Sequence, residues 1–342
     1  MKKLLILIPV LTIMFSCSKI PENGNESYLS GKGVFILNEG NFRWGNGSLS
    51  FYSYDSAKIY NDLFLNINER PLGDVPNSML IYGELAYIIV NNSGKIEVVN
   101  KNTLISETTI TGLISPRNMA LASSTKAYVT SMYSDSMAII NLLTNTVTGY
   151  INLRRTSESV IVSGAKAFIS NWIGGNEIMV VDITNNKVVD SIKVGTEPES
   201  MVLDKNKMLW VLCNGGWTRT IQAELNVINT ATNIVAKEIV FTDKLASPSC
   251  LNIDGIGETL YYLESGVRQM SINSVALPSV PLISESGHYF YKLGVNPANN
   301  DIFVTDAADY QQKGSVYFYK KDGTLVSTFT ADIIPGLMCF KQ

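Results

Sequence analysis

VVDITNNKVVDSIKVGTEPESMVLDKNKMLWVLC, residues 180–213, reads as four short apolar runs divided by turn residues. The first run, EIMVVD, begins at Glu177 and ends in DITNN. Asp and Asn there supply the positive φ that a tight hairpin needs. KVVDSIKV (187–194), EPESMVL (197–203) and LWVLC from Leu209 are three more strands. The same columns recur along the whole chain. VFILN from Val34, AYIIV from Ala86, AYVTS from Ala127 and AFISN from Ala167 align with LWVLC, LYYLE from Leu260 and IFVTD from Ile302. Each carries an aromatic second: Phe35, Tyr87, Tyr128, Phe168, Trp210, Tyr261 and Phe303, spaced by 52, 41, 40, 42, 51 and 42 residues.

Four short strands per unit of about 40 residues is the pattern of a β-propeller blade. One blade cannot bury both faces of its sheet, and packing blades around an axis buries them. The aromatic column is therefore expected to fill the space between neighbouring blades. A second column, VPNSMLI (75–81), SPRNMAL (115–121), TSESVIV (156–162), EPESMVL and SPSCLNI (247–253), supplies the inner strands. Inner strands start near residues 76, 116, 157, 198, 248, 290 and 335, which predicts seven four-stranded blades. The first unit lacks its own inner strand. IPGLMCF (334–340) has Pro335 and Met338 in register, so the C-terminal segment is expected to join the first blade and close the ring. The predicted fold is all-β, a seven-bladed propeller over residues 33–342.

Composition narrows the function. Of 342 residues 46% are apolar and 17% charged, with net charge −3. A nucleic-acid binder needs a dense Lys/Arg face, so that class is excluded. Lys2, Lys3 and the apolar stretch 4–15 form a targeting segment too short to span a bilayer. Met14-Phe15-Ser16-Cys17 resembles a bacterial lipobox. That resemblance implies a signal peptide over 1–16, lipidation of Cys17 and a polar tether over 17–32. Ser18 after the cysteine implies the outer membrane, with surface exposure expected and a periplasmic orientation left open. An ordinary secretory signal with a chance cysteine is the alternative. Cys213, Cys250 and Cys339 sit in apolar runs without metal-ligand spacing and read as buried small hydrophobes.

The loops between second and third strands of each blade, with the connections to the next blade, are expected to build one face. They hold Phe42, Arg43, Trp44, Tyr133, Trp172, Trp217, Arg219, Arg268 and Tyr310. Aromatics and cations recurring at one structural position favour a shared binding surface, since Trp and Tyr give large contact area for little side-chain entropy. The other reading is that they only order the rim. Arg117, Arg154, Arg155, Glu197 and Glu199 come from the connections to the next blade. Catalysis has little support. His288 is the single histidine, no nucleophile elbow is present, and Glu197/Glu199 and Asp306/Asp309 read as solvated turn residues. No enzyme activity, catalytic residue, metal or cofactor is expected.

NEGNF (38–42), followed by GSLSFY, the Pro-x-x-Met strands and the 180–195 unit resemble YncE-like, surface-layer-type propellers. With the lipoprotein signal, the chain resembles Bacteroidetes surface lipoproteins of the BtuG type, which bind cobalamin. The resemblance implies capture of a corrinoid on the loop-bearing face and delivery to a TonB-dependent outer-membrane transporter. A protein- or glycan-binding scaffold using the same face is the alternative.

Overall fold

Phe35, Tyr87, Tyr128, Phe168, Trp210, Tyr261 and Phe303 are each 2% exposed or less. They are buried because each belongs to a different apolar cluster, and each cluster joins two neighbouring sheets. The computed structural model describes residues 27–342, and these form seven antiparallel sheets arranged as a β-propeller. The expected signal peptide, Cys17 and the tether as far as residue 26 lie outside the described residues. The last part of that tether is docked on the ring: Ser27–Ser30 is a short helix, Leu29 is buried, and Tyr28 stacks on Tyr60 at 3.7 Å.

Blade two shows the plan, running Pro76–Tyr82, Leu85–Val90, Lys95–Asn100 and Ser106–Ile110 from axis to rim. The other inner strands are Pro116–Leu121, Val160–Ser163, Pro198–Leu203, Ser249–Ile253 and Phe290–Val295. The seventh is Pro335–Lys341, which pairs antiparallel with Gly33–Asn38 and closes the ring as the repeat required. It starts at Pro335, as the inner-strand column predicts, and Ile334 before it sits at φ 55, outside strand geometry.

Turn chemistry ties the blades together. Asn145, Asn186 and Asn233 hold positive φ in their outer hairpins, at 51°, 57° and 60°. Each also accepts a hydrogen bond from the preceding blade: from Tyr87 Oη at 2.9 Å, Tyr128 Oη at 2.5 Å and Lys166 Nζ at 2.8 Å. One residue type thus satisfies the local turn and a donor on its neighbour, buried in the case of Tyr87 and Tyr128.

Blade six departs from the four-strand expectation. It has three strands, Ser249–Ile253, Thr259–Leu263 and Val267–Ser271, and a single bridge from Val267 to Ile283 in place of the fourth. Pro278 and Pro281 lie in that segment. An edge strand accepts proline only where the N side faces solvent, and at a spacing of three one of the two must face the ladder, so regular pairing is broken there.

An insertion between blades one and two carries the helix Leu63–Asn68 and Arg70, which reaches a fully buried carboxylate on blade two. Arg70 donates to both oxygens of Glu97 at 2.8 and 2.9 Å, and Lys95 Nζ and Thr109 Oγ1 also donate to this carboxylate, at 2.6 and 3.0 Å. Burial alone would raise the proton affinity of Glu97. The hydrogen bonds from Arg70 and Lys95 outweigh it and hold the carboxyl below its usual range. Its contribution is therefore present above the unfolded-state value near ~4.3 and fades as pH falls through the lower folded value. Glu97→Gln is expected to cost about 1–3 kcal/mol at pH 7. In urea melts the gap from wild type should shrink steadily below about pH 4; a gap independent of pH would show that the charge is not what matters.

Candidate functional site

The seven inner strands share one irregularity. Pro76 and Ser78 face Val90 and Ile89, leaving Asn77 as an extra residue. Glu199 and Tyr291 are extra in the same way on blades five and seven. On blades three, six and one, two residues oppose one: Arg117 and Asn118, Cys250 and Leu251, Gly336 and Leu337. On blade four, Glu158 N–H donates to the Ser170 carbonyl, and Ser170 N–H donates to the Ser159 carbonyl. A bulge bends its strand and re-aims side chains, and bulges concentrate beside functional sites. Here the starting proline contributes, since it has no N–H and the residue before it is held at positive φ in Val75, Ser115, Glu197 and Ile334 (58°, 41°, 55° and 55°). Val and Ile are rarely found there, and each such residue costs roughly 1–3 kcal/mol.

The bulges aim polar side chains at the axis, around a cavity of about 250 Å³. Glu39, Arg117, Glu158, Glu199 and Lys292 line it, with Asn77, Asn118 and Asn252 between them. Arg117 Nε donates to both oxygens of Glu158 at 3.0 and 2.8 Å, and Nη2 donates to Oε1 at 2.7 Å. Burial works against the guanidinium charge, and Glu158 more than restores it. Tyr291 Oη donates to Glu39 Oε1 at 2.9 Å. The Cys250 N–H, at φ 58, donates to Glu199 Oε2 at 2.9 Å. Burial pushes both the Cys250 thiol and the Tyr291 phenol up, so both are neutral at ordinary pH. Lys292 is surrounded by protein yet open to the cavity. Burial opposes its charge, and the ionisable groups around it, Cys250 and Tyr291 first and then Glu199 and Glu39, outweigh burial and raise its proton affinity.

The loops and the blade-to-blade connections meet at the same end of the ring. Met132 N–H bonds the Ser115 carbonyl, Glu197 N–H the Gly175 carbonyl, and Arg43 N–H the Asp74 carboxylate. Trp44, Tyr133 and Trp217 stand 77%, 68% and 88% exposed on this end, and Phe42 stands with them. The Arg43 guanidinium lies 5.1 Å from the Phe42 ring centre. Tyr310 packs edge-on against Tyr291 at 5.8 Å, which links rim to cavity through Glu39. Trp172 is half-buried, and its indole N–H lacks a partner among the described residues. Arg219 is tied to the Ala246 carbonyl. Arg268 belongs to a strand instead of a loop. Its guanidinium is held by Glu264 at 2.7 Å and by the Glu264 carbonyl at 2.9 Å. His288 stands just before the inner strand of blade seven, with Nδ1 2.8 Å from Tyr317 Oη. Cys213 and Cys250 are buried, Cys339 is partly so, and all three are free thiols.

Sequence reasoning named Arg117 and Glu199 but passed over Glu39, Glu158 and Lys292. The signal was available: the polar pair after each inner-strand proline (Asn-Ser, Arg-Asn, Glu-Ser) sits in a column otherwise apolar. Strict alternation would send one of each pair into the core, and the bulge is what spares it.

Residues 32–334 match the family described as a domain of unknown function, DUF5074. No curated protein matches the sequence. Among solved structures, a quinonprotein alcohol dehydrogenase-like protein from Bacteroides thetaiotaomicron is similar with TM-score 0.69 at 14% identity, over 91% of this chain and 78% of that one. The periplasmic gluconolactonase of Pseudomonas aeruginosa is similar with TM-score 0.68 at 10% identity, over 91% and 99%. The hydrazine synthase of Kuenenia stuttgartiensis is similar with TM-score 0.59 at 12% identity, over 76% and 86%. At such identities the likeness is one of fold alone.

Proposed function

We propose that this chain, which belongs to the DUF5074 family, is a binding protein that takes a large polar small molecule on its loop-bearing end, with a corrinoid such as cobalamin as the ligand to test first. The observation that carries the reading is the exposure of Trp44, Tyr133 and Trp217 on one end of the ring, around a charged axial cavity. Such rings gain nothing in water and much under a ligand. A wide amide-fringed disc would cover the indoles and present its polar arms to the cavity. The protein acts here as a binder and not as an enzyme.

Topology bears on anchoring. Gly33–Asn38 climbs from the far end to loop 39–47, so the docked helix Ser27–Ser30 leaves from the end opposite the indoles. An outer-membrane anchor at Cys17 would then point the binding end away from its own lipid. Delivery to a TonB-dependent transporter would require the segment before residue 27 to let the ring turn over.

Calorimetry with cyanocobalamin is the test. Trp44→Ala and Trp217→Ala are each expected to weaken binding about tenfold or more, as truncation of an interface tryptophan does, with the melting temperature unchanged. Absence of heat and of any cobalamin-induced rise in melting temperature would reject the corrinoid. Protein and glycan partners for the same end would then come next.

A further inference from the structure

Lys292 is the one cation of the cavity whose charged head is uncommitted: among the described residues its ammonium has neither a hydrogen-bond nor an ion-pair partner, and it lies 5.1 Å from the Tyr291 ring centre. Arg117, the other cation, is already clasped by Glu158 through three hydrogen bonds. Two carboxylates share the cavity with Lys292. Glu39 has one oxygen occupied by Tyr291, and Glu199 has one occupied by the Cys250 N–H. Each keeps a second oxygen with no donor among the described residues. The bulges of blades five and seven hold Glu199 and Lys292, and Glu39, the residue after strand Gly33–Asn38, is fixed by its backbone bond to the Ile334 carbonyl and by Tyr291.

An anion approaching Lys292 would meet both carboxylates, and its attraction to one ammonium would be cancelled. A cation would be drawn to the two carboxylates but, as a donor only, would leave the Lys292 ammonium without an acceptor. A neutral group offering donors and an acceptor on neighbouring atoms satisfies all three side chains together: the acceptor receives a hydrogen bond from the Lys292 ammonium, and the donors reach Glu39 and Glu199. We infer that the axial cavity binds an uncharged donor–acceptor group, either a primary carboxamide or a pair of adjacent hydroxyls, and discriminates against carboxylates and phosphates. The inference rests on the loop-bearing end being a ligand site and specifies which part of the ligand enters the axis. A carboxamide would come from the fringe of a corrinoid, and a diol from a sugar.

The experiment compares neutral probes with their acidic counterparts by calorimetry. Cyanocobalamin is set against its monocarboxylic acids, in which one amide is hydrolysed, and N-acetylglucosamine against glucuronic acid. One neutral probe should bind wild type about tenfold tighter than its acidic counterpart. Glu199→Gln and Lys292→Met should each weaken that neutral probe by about tenfold, and Glu199→Gln should also narrow the gap between the members of the pair. The wild-type comparison stands without any variant, should one of them fold poorly. Equal or tighter binding of the acids overturns the inference, as does failure of both neutral probes at millimolar concentration. Cyanocobalamin binding that is lost in Trp44→Ala but unchanged in Lys292→Met and Glu199→Gln overturns it while leaving the corrinoid reading intact. N-acetylglucosamine binding that depends on Glu199 supports it even where cyanocobalamin fails.

Discussion

A chain ending at Ile333 is expected not to fold. Pro335–Lys341 is the inner strand of blade one, and every residue of its partner Gly33–Asn38 is buried. Removing it leaves the backbone of Gly33–Asn38 with one ladder unmade, and each buried unsatisfied group costs about 1–3 kcal/mol. It also strips Met338 from the cluster between blades seven and one, and Phe340, which packs on Phe303 at 5.7 Å. A native domain has only about 5–15 kcal/mol in hand, so a few such groups exceed the total. A repeat ring differs here from an open solenoid, which can lose a terminal unit and keep the rest. The measurements are size exclusion and near-ultraviolet circular dichroism of the truncated chain. A compact species with a native near-ultraviolet spectrum and a cooperative melt would refute ring closure as the source of stability.

Trp210→Ala is expected to cost about 3–5 kcal/mol, the usual loss for a large buried aromatic. Trp210 is 2% exposed in the cluster between blades five and six, and its Nε1–H donates to Asp204 Oδ2 at 3.0 Å. The substitution opens a cavity and leaves the buried Asp204 oxygen without its donor, and the two effects add. For a domain of this size the melting temperature should fall by roughly 6–10 °C. Trp217, seven positions along, is 88% exposed, and Trp217→Ala should stay within about 0.5 kcal/mol of wild type. The two tryptophans thus separate stability from binding in one experiment. Comparable destabilisation by both would mean that the rim indole is part of the core and would remove the main support for a binding end.

The blade number, the ring closure and the buried aromatic column were all readable before any coordinates. A propeller repeats its constraints, and seven copies of the same apolar column leave little room for another arrangement. In blade six the segment NSVALPSVPL is apolar enough for an outer strand but lacks the backbone N–H groups of Pro278 and Pro281, and one bridge stands in place of the fourth strand. Arg268 was placed in a loop because ESGVRQ looks like turn chemistry. The turn is shorter, and the strand begins at Val267, which commits the guanidinium to Glu264.

By itself the sequence determined which residues leave water: the period-two runs, the aromatic column and the Asn-rich turns are local patterns, and local patterns suffice for burial and blade count. The tertiary structure alone decided which polar groups meet. Glu39, Arg117, Glu158, Glu199 and Lys292 come from five different blades, and only a closed ring, with bulges at the inner strands that carry the last four, brings them to a common axis. Their meeting depends on how seven blades are rotated about one axis and how their inner strands bulge, and no window of the chain contains that sum.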